Sequence, residues 1–512
     1  MRIRCVALLA AAASVWSAPA SATWNEAVSK HFHIYADESP EDLKAFATKL
    51  ERFDAAVRAG RGTPDVDAGA STQVTVYVLR DIAAIRNIYG DRDSGVAGFY
   101  DPRASGSVAF VPRTGETGTY ELSADSIFFH EYTHHLMLED TDRPLPTWLV
   151  EGFAEFFAVP RFNSDGSVTL GLPPRYRAEV LYDQGMGGLP LPRMLAGDYT
   201  TLDELQFESL YGRGWLLTHL LTFDLKRHGQ LSKYIDEIAA GKPPLQAATD
   251  SFGNLDQLES ELDSYFKADK FTVTTIPASE LHLPPIEVRP LSPAMAQLMD
   301  TKIKFARAGK RYTAASLVGR ARSIVQSYPT DAQAVTLLAQ IENAAKQYNA
   351  AATDADTALK LDPRSEPAEL AKGEAMMNIA KANPANADWN GVRTILSTAN
   401  RMDVEDAEPL ILFFRSFAAA GQQPTSNAID GLNYAIMLAP QDAKLRLEAV
   451  GAFLKDNRPT DAREAILPLA YSPHAGKSHE AVRKILDQID ARNVPQALVA
   501  WQAAEKFYDD DN

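Results

Sequence analysis

Hydrophobic positions divide the chain into a first half that mixes strands and helices and a second half that is helical. Residues 32–35 and 73–79 are rich in β-branched and aromatic side chains, which is typical of strands. Between them, Ser39-Pro40 indicates a helix N-cap followed by proline at the first helical position. Apolar side chains then recur at spacings of three and four, which predicts one buried helix face: Leu43, Phe46, Leu50, Phe53 and Val57.

One more strand and three long helices are predicted in the rest of the first half. Residues 106–112 (GSVAFVP) have the pattern of a short strand that stops at proline, which favours a position at a sheet edge. Helical patterns cover residues 124–139, 147–158 and 207–224. Strands followed by helices in this order indicate an α+β domain.

Proline marks the end of that domain. Residues 276–297 contain five prolines, which exclude a continuous helix and predict a linker or an extended strap. Beyond this segment the composition becomes alanine-rich, and the helical pattern continues with almost no strand signal.

The helical second half repeats itself. Pro329 and Pro363 end predicted helices, and their separation equals the tetratricopeptide period of about 34 residues. A second copy ends at Pro440, and Pro473 follows after nearly the same interval, although one link between the copies is longer. Residues 298–490 therefore resemble tetratricopeptide repeats, and an unrelated helical bundle is the alternative.

Composition narrows the class of protein. At 512 residues the chain has room for about two to four domains, and 46% hydrophobic with 23% charged residues is ordinary for a globular protein. The net charge of −16 argues against nucleic acid or an anionic membrane surface as the main partner. The single cysteine, Cys5, excludes disulfide scaffolds and Cys-type metal sites.

The N-terminus has the pattern of a bacterial-type secretory signal peptide. Arg2 and Arg4 precede an apolar run, and Ala20-Ser21-Ala22 is a small-residue cleavage site. Cleavage there removes Cys5 and implies export to the periplasm or secretion. A buried N-terminal helix is the alternative. No later stretch is long and apolar enough to span a bilayer, so no transmembrane anchor is expected after cleavage.

The strongest chemical signal is the H-E-x-x-H motif at residues 130–134. Residues four apart share a helix face, so His130 and His134 can reach one metal ion. Glu131 projects from the neighbouring position and can contact a metal-bound water without binding the metal. Ser123 is placed to cap this helix. The pattern predicts a zinc site; a structural accident is the alternative, and the context of the motif decides between them.

A second segment, residues 146–157 (PTWLVEGFAEFF), offers further candidates. A catalytic zinc site needs three protein ligands and an open fourth position. Glu151 lies among apolar residues, where a charge is costly unless it is paired or bound to a metal. Glu155 lies on the same helical face and is predicted to accept a hydrogen bond from a ligand histidine, which would fix its tautomer. The alternative is that both are ordinary solvated helix residues.

Together the two segments resemble a known family. HEYTHH followed by WLVEGFAEFF is similar to the gluzincin metallopeptidases, particularly the peptidase-MA-like group. The resemblance covers about residues 24–270 and implies zinc bound by His130, His134 and Glu151. The chain has no thermolysin-type N-E-x-x-S-D and no clear G-A-M-E-N exopeptidase signature, so the substrate rules of more distant relatives do not transfer.

A later helix carries a candidate for oxyanion stabilisation. ESLYGRGWLLTHLL resembles the family's Y-x-x-x-W-x-L stretch, which implies that the Tyr211 phenol steadies the developing oxyanion. A core tyrosine is the alternative. His219 is a further donor candidate, whereas His135 should point away from the metal-facing side. His31 and His33 lie in a predicted strand, and the pattern identifies no partner for either.

The expected fold class is an α+β zincin-like metallopeptidase domain followed by an all-α tetratricopeptide-like helical-repeat domain. The predicted order is a signal peptide at residues 1–22, the peptidase domain at 23–275, the proline-rich linker at 276–297 and the repeats at 298–512.

The expected function is that of an exported zinc metallopeptidase. Zn²⁺ would lower the pKa of its bound water towards ~7, and Glu131 would take the proton of the attacking water and pass it to the leaving amine. The expected partners are a peptide or protein substrate and a protein on the repeats. Two alternatives stay open: a tetratricopeptide-type protein-binding scaffold with an inactive zinc domain, and hydrolysis of a non-peptide amide or ester.

Overall fold

A computed structural model describes residues 24–65, 69, 71–94, 96–113, 123–140, 145–183, 188–197, 199, 202–268, 270–307, 312–470 and 479–510. The predicted signal peptide, with Cys5, lies outside these residues. An α+β N-terminal region with small sheets is followed by a long all-helical region. Within the described ranges, no helix combines the length and apolar character that a bilayer span needs.

The strands of the described chain form two sheets. They are β1 (Asn25–Val28), β2 (Phe32–Ala36), β3 (Val74–Leu79), β4 (Phe99–Asp101), β5 (Val108–Pro112), β6 (Arg161–Phe162), β7 (Val168–Leu170), β8 (Thr274–Ile276) and β9 (Glu287–Pro290). The main sheet has the order β4-β5-β3-β2-β1-β9, and the second has the order β6-β7-β8. In the main sheet β2, β3 and β5 run parallel, and β4, β1 and β9 pair antiparallel with their neighbours.

The prediction of an edge position for residues 106–112 is wrong. Strand β5 pairs with β3 on one side and with β4 on the other, so β4 is the edge. The proline is tolerated because Pro112 is the last residue of β5. The next amide, that of Arg113, donates to the carbonyl of Leu79 at 2.6 Å and completes the ladder.

Ten α-helices are described in the first half: α1 (Pro40–Arg61), α2 (Ile82–Tyr89), α3 (Ala124–Asp140), α4 (Thr147–Phe157), α5 (Arg175–Asp183), α6 (Leu191–Ala196), α7 (Glu204–Phe223), α8 (Gln230–Ala239), α9 (Pro244–Phe252) and α10 (Leu255–Phe266). The capping prediction for α1 is confirmed, because the side chain of Ser39 accepts a hydrogen bond from the amide of Asp42. The predicted helix face is also confirmed. Leu43, Leu50, Phe53 and Val57 are fully buried, and Phe46 packs against the same core.

Both faces of the main sheet are apolar, and each face belongs to a different core. Alternate residues of β2, β3 and β5 point to opposite sides, as the pleat requires. Ile34, Val76 and Val111 face a core built with helices α1, α3, α4 and α7. Tyr35 and Phe110 face the other way, towards the helices of the second half. The sheet is therefore a middle layer between two sets of helices.

The described second half is a series of helices in which each packs against the next. They are α11 (Pro293–Ala306), α12 (Ala314–Ser327), α13 (Ala332–Ala344), α14 (Tyr348–Leu361), α15 (Glu366–Ala382), α16 (Trp389–Met402), α17 (Glu408–Ala419), α18 (Ser426–Leu438), α19 (Ala443–Lys455), α20 (Pro459–Ala470), α21 (His479–Asp490) and α22 (Val494–Asp510). Helix α13 begins at Ala332 and helix α15 at Glu366. This spacing equals the interval between the helix-ending prolines Pro329 and Pro363.

The first helices of the second half cover the outer face of the main sheet. The rings of Tyr35, Tyr77 and Phe110 stack across three strands, with centroids 5.5 and 5.4 Å apart. Leu298 and Met299 of α11 belong to the same buried cluster as these rings. The two halves therefore share a core.

The proline-rich segment is part of both sheets. Ile276 ends β8, residues 287–290 form β9 beside β1, and α11 begins at Pro293. No continuous helix crosses this segment, as predicted from its prolines, but an extended chain can still pair through its remaining amides. The amide of Leu291 donates to the carbonyl of Trp24 at 2.9 Å and continues this pairing.

Loops of the second half also contact the first half. The Gln441 side chain donates to the carbonyl oxygens of Ser71 and Arg103, each at 3.0 Å. The neighbouring Asp442 accepts a hydrogen bond from the amide of Ala104 at 3.0 Å. Contacts at α11 and just before α19 thus fix the helical array against the first half at two separate places.

Candidate metal centre

Three side chains from α3 and α4 converge on one point. Nε2 of His130 lies 3.2 Å from Nε2 of His134 and 3.2 Å from Oε2 of Glu151. Nε2 of His134 lies 3.5 Å from the same oxygen. A tetrahedral zinc ion with ligand bonds of about 2.1 Å needs its ligand atoms about 3.4 Å apart. The residues present therefore fit a zinc ion, in both ligand type and spacing.

Helix α3 holds the two histidines at the boundary of the core. Its first turn is capped by Ser123, which accepts a hydrogen bond from the amide of Ser126 at 3.1 Å. One face of the helix packs Phe128, Phe129 and Tyr132 into the core below the sheet. His130 and His134 lie four residues apart and share the side that faces α4.

Two glycines bring α4 and α7 into backbone contact beside the site. A Cβ atom added at Gly152 would lie 2.4 Å from the carbonyl oxygen of Gly214, and one added at Gly214 would lie 2.6 Å from that of Trp148. Only glycine fits at such a distance. This contact explains the glycine that follows Glu151, and it places Tyr211 of α7 next to the candidate metal-binding residues.

Tyr211 lies at the site that the sequence predicts. Its ring centroid is 5.9 Å from that of His130. Burial raises the pKa of the phenol, and the negative charges of Glu151 and Glu131 raise it further. The phenol therefore keeps its proton and can donate a hydrogen bond.

The electrostatics of the three converging residues favour a cation. Burial alone would raise the pKa of Glu151, but the charges and hydrogen bonds of His134 and His130 outweigh it and hold that pKa well below its usual range. Burial lowers the pKa of His130, whereas the hydrogen bond to Glu151 and the charge of Glu155 raise it, to about 9. A metal ion at this point would compete with that proton for the ring nitrogen.

Glu155 lies behind His130 but does not form the predicted hydrogen bond. Its Oε1 atom is 3.6 Å from Nδ1 of His130, which is too long. The carboxylate is fully buried, and its oxygens have stronger donors. Tyr176 donates to Oε2 at 2.7 Å, and Arg177 donates to Oε1 at 2.8 Å. Glu155 therefore acts on His130 through its charge.

Tyr176 and Arg177 are the site residues that sequence reasoning missed. The guanidinium of Arg177 also lies 4.5 Å from the ring centroid of Tyr211. Both residues are on α5, well beyond the end of the helix that carries Glu155, and no periodic pattern connects the two helices. Only the fold brings them together.

A second group of metal-type residues, His31, Glu51 and Asp54, is better described as an ionic network. Nδ1 of His31 lies 2.8 Å from Glu51, and its Nε2 lies 3.0 Å from Asp65. A carboxylate on each nitrogen favours the doubly protonated ring, which has no lone pair to offer a metal. Arg58 donates to both oxygens of Asp54 at 3.0 Å. These contacts supply the partners of His31 that the sequence did not identify.

The other histidines lie outside the candidate centre. Nδ1 of His135 shares a hydrogen bond of 2.9 Å with the Tyr100 hydroxyl, and its ring stacks on Tyr132. His135 therefore points away from the helix side that carries His130 and His134, as predicted. The suggestion that His219 is a donor to the reaction is wrong. Its ring is fully buried, and it bonds the Tyr265 hydroxyl at 2.8 Å and the Gly171 carbonyl at 3.0 Å.

The sequence matches no protein-family model and no curated protein.

Proposed function

We propose that this protein is a zinc-dependent metallopeptidase of the gluzincin type, with a zincin-like N-terminal domain and tetratricopeptide-like repeats. The observation that carries the proposal is the convergence of His130, His134 and Glu151 at distances of 3.2–3.5 Å. Support also comes from Glu131, which is next to His130 in the sequence, and from the phenol of Tyr211, whose ring lies near that of His130. Export through the signal peptide is part of the same proposal and rests on the sequence pattern.

Each residue has a definite task in this proposal. His130, His134 and Glu151 would hold the metal, and zinc, when bound, supplies a Lewis acid and an acidified water. Glu131 would accept a proton from the attacking water and deliver it to the departing amine nitrogen. Tyr211 would donate a hydrogen bond to the carbonyl oxygen as negative charge develops on it.

The test is digestion of a mixed peptide library by the full chain, with cleavage sites identified by mass spectrometry. We expect cleavage that a chelator stops and zinc restores. Glu131→Gln should retain zinc and lose at least about 100-fold in rate, because general-base catalysis contributes about that much. Asp125→Asn is the control on the same helix, since Asp125 is exposed and contacts Lys49 instead of the site.

Other outcomes separate the alternatives. Zinc binding without cleavage of any peptide would favour the protein-binding scaffold, whereas cleavage of amide or ester substrates alone would favour a different hydrolase. A fully active Glu131→Gln variant would contradict the proposed role of Glu131. A protein partner on the repeats is a proposal that rests on the repeat pattern alone.

A further inference from the structure

We propose that Arg177 is a positioning residue that couples the metal-binding residue His130 to Tyr211. It does so by fixing Glu155 behind His130 and by packing against the Tyr211 ring. The inference deepens the proposed function and rests on it. Arg177 belongs to α5, which contributes no ligand, so the proposal assigns a role to this helix as well.

The first half of the coupling is the contact with Glu155. Nε and Nη2 of Arg177 both lie 2.8 Å from Oε1 of Glu155. The same oxygen is 3.6 Å from Nδ1 of His130. A negative charge on that side of the ring favours the proton on Nδ1 and leaves the lone pair of Nε2 free for a metal. Arg177 keeps this buried charge in place and compensates it.

The second half of the coupling is the contact with α7. The guanidinium carbon of Arg177 is 4.5 Å from the ring centroid of Tyr211, within the range of a cation–π contact. On α7 the ring of Phe207 packs edge-on against Tyr211 at 5.7 Å. Arg177 also forms an ion pair with Glu208, which lies one helical turn before Tyr211. The phenol is thereby held between neighbours that restrict its orientation.

Lysine cannot replace arginine in this arrangement. The planar guanidinium bonds Glu155 through Nε and Nη2 while its central carbon lies over the Tyr211 ring, and an ammonium group has no such planar fork. Arg177→Lys should therefore keep the local charge and lose part of the coupling. Arg177→Met should lose all of it, because Glu155 would stay buried without its cation.

The experiment compares the full-length wild type with Arg177→Met, Arg177→Lys and the control Arg175→Met, an exposed position on the same helix. Zn²⁺ affinity is measured by competition with a chromophoric chelator, and kcat and KM are measured on a peptide cleaved by the wild type. Arg177→Met should weaken zinc binding by about 10- to 100-fold, the usual effect of losing a residue behind a metal ligand. Its kcat should fall with KM little changed, and Arg177→Lys should lie between it and the wild type.

A double-mutant cycle tests the link to Tyr211. If Arg177 acts partly through the phenol, Arg177→Met should cost less in kcat when Tyr211 is already phenylalanine. Strict additivity of the two substitutions would overturn this half of the proposal. Wild-type zinc affinity in Arg177→Met would overturn the other half, as would an equal loss in Arg175→Met.

The two proposals fail in distinguishable ways. Should Arg177→Met not fold, as judged by its thermal transition, Arg177→Lys decides, and wild-type zinc affinity in that variant overturns the coupling to His130. A zinc-binding wild type that loses affinity in Arg177→Met but cleaves no peptide contradicts the peptidase function and supports the positioning role. A wild type that binds no zinc contradicts both.

Discussion

At the scale of single residues, His31 shows how a buried charge can be held by its surroundings. Its ring is 4% exposed and has a carboxylate at each nitrogen. One of these carboxylates belongs to Glu51 of α1, and Asp54 on the same helix also receives a hydrogen bond from Tyr132 of α3 at 2.9 Å. The network therefore links α1 to α3, the helix that carries the two histidines proposed as zinc ligands.

We predict that His31 makes folding stability depend on pH. Burial lowers its pKa, but the hydrogen bond to Glu51 and the charges of Asp54 and Glu51 outweigh burial and raise it. A raised pKa means that the stabilisation is complete below pH 6.5 and is lost as the pH rises through the folded-state pKa. The loss of unfolding free energy in His31→Gln, measured by urea denaturation from mildly acidic to mildly alkaline pH, should be largest at the acidic end.

His33 provides a control with the opposite sign. It lies on β2, and burial, with the charge of Lys302, lowers its pKa despite the hydrogen bond to Glu26. The difference between the wild type and His33→Gln should therefore shrink as the pH falls. Parallel pH profiles for the two variants would contradict this assignment of charges.

The site was predictable from the sequence wherever its residues are close along one helix. His130 and His134 share a face of α3, and Glu151 and Glu155 share a face of α4. In each helix, a spacing of four residues was enough to predict that the two side chains lie on the same side. Arg177 lies beyond any such spacing, and Glu51 faces His31 only because the parallel strand β2 packs on α1. Contacts of this kind depend on tertiary packing, which local periodicity does not encode.

At the scale of elements, the backbone contact of α4 with α7 sets the position of Glu151 and Tyr211 in the candidate metal centre. The helices cross where Gly152 meets Gly214, with Glu151 on one side and Tyr211 a turn away. Any side chain at this crossing would have to separate the two helices. It would then move the third candidate ligand relative to the histidines of α3.

We predict that Gly214→Ala destabilises the protein by about 1–3 kcal/mol and weakens zinc binding. The added Cβ would lie 2.6 Å from the Trp148 carbonyl, a backbone atom that cannot move alone. Gly319→Ala on α12 is the matched control, since nothing lies within 4 Å of its added Cβ. Gly319 is exposed, and its replacement by alanine should stabilise the protein by roughly 0.5–1 kcal/mol. Equal thermal transitions for the two variants would contradict the packing argument.

Helices and strands whose own residues have a clear hydrophobic pattern were predicted from the sequence. Strands whose position depends on pairing with a distant segment were not. The capped helix α1 and strands β2 and β3 lie where their patterns place them. Strand β5 was assigned to an edge because proline lacks an amide, yet the amide of the next residue completes the ladder. Strand β9 lies in a segment whose prolines suggested a linker, and pairing with β1 gives it structure.

At the scale of the whole molecule, the two halves depend on each other. Tyr77 and Phe110 of the sheet are buried in the same cluster as helices α11 to α13. Lys302 of α11 adds a polar contact by donating to the Tyr35 hydroxyl at 2.8 Å. Removing the second half would expose a continuous aromatic face to water.

We predict that residues 24–275 do not form a cooperatively folded unit. That fragment lacks β9 and the helices over Tyr35, Tyr77 and Phe110. A fragment of residues 24–361 retains β9 and helices α11 to α14, and it should unfold cooperatively. Circular dichroism melts and binding of a hydrophobic dye distinguish the two. A sharp transition without dye binding in the shorter fragment would show that the sheet is stable without the helices.

The place of β9 also governs the order in which this chain can fold. Strand β1 leaves the ribosome early, but its outer edge pairs with residues 287–290, which emerge only after the helices of the first half have been made. Until then, β1 presents unpaired amides and carbonyls to any other extended chain. Completion of the sheet must wait for a long-range closure, which is slow because distant segments have to meet. Until β9 pairs with it, this edge of β1 is therefore a site where the incompletely folded chain can pair with another extended chain.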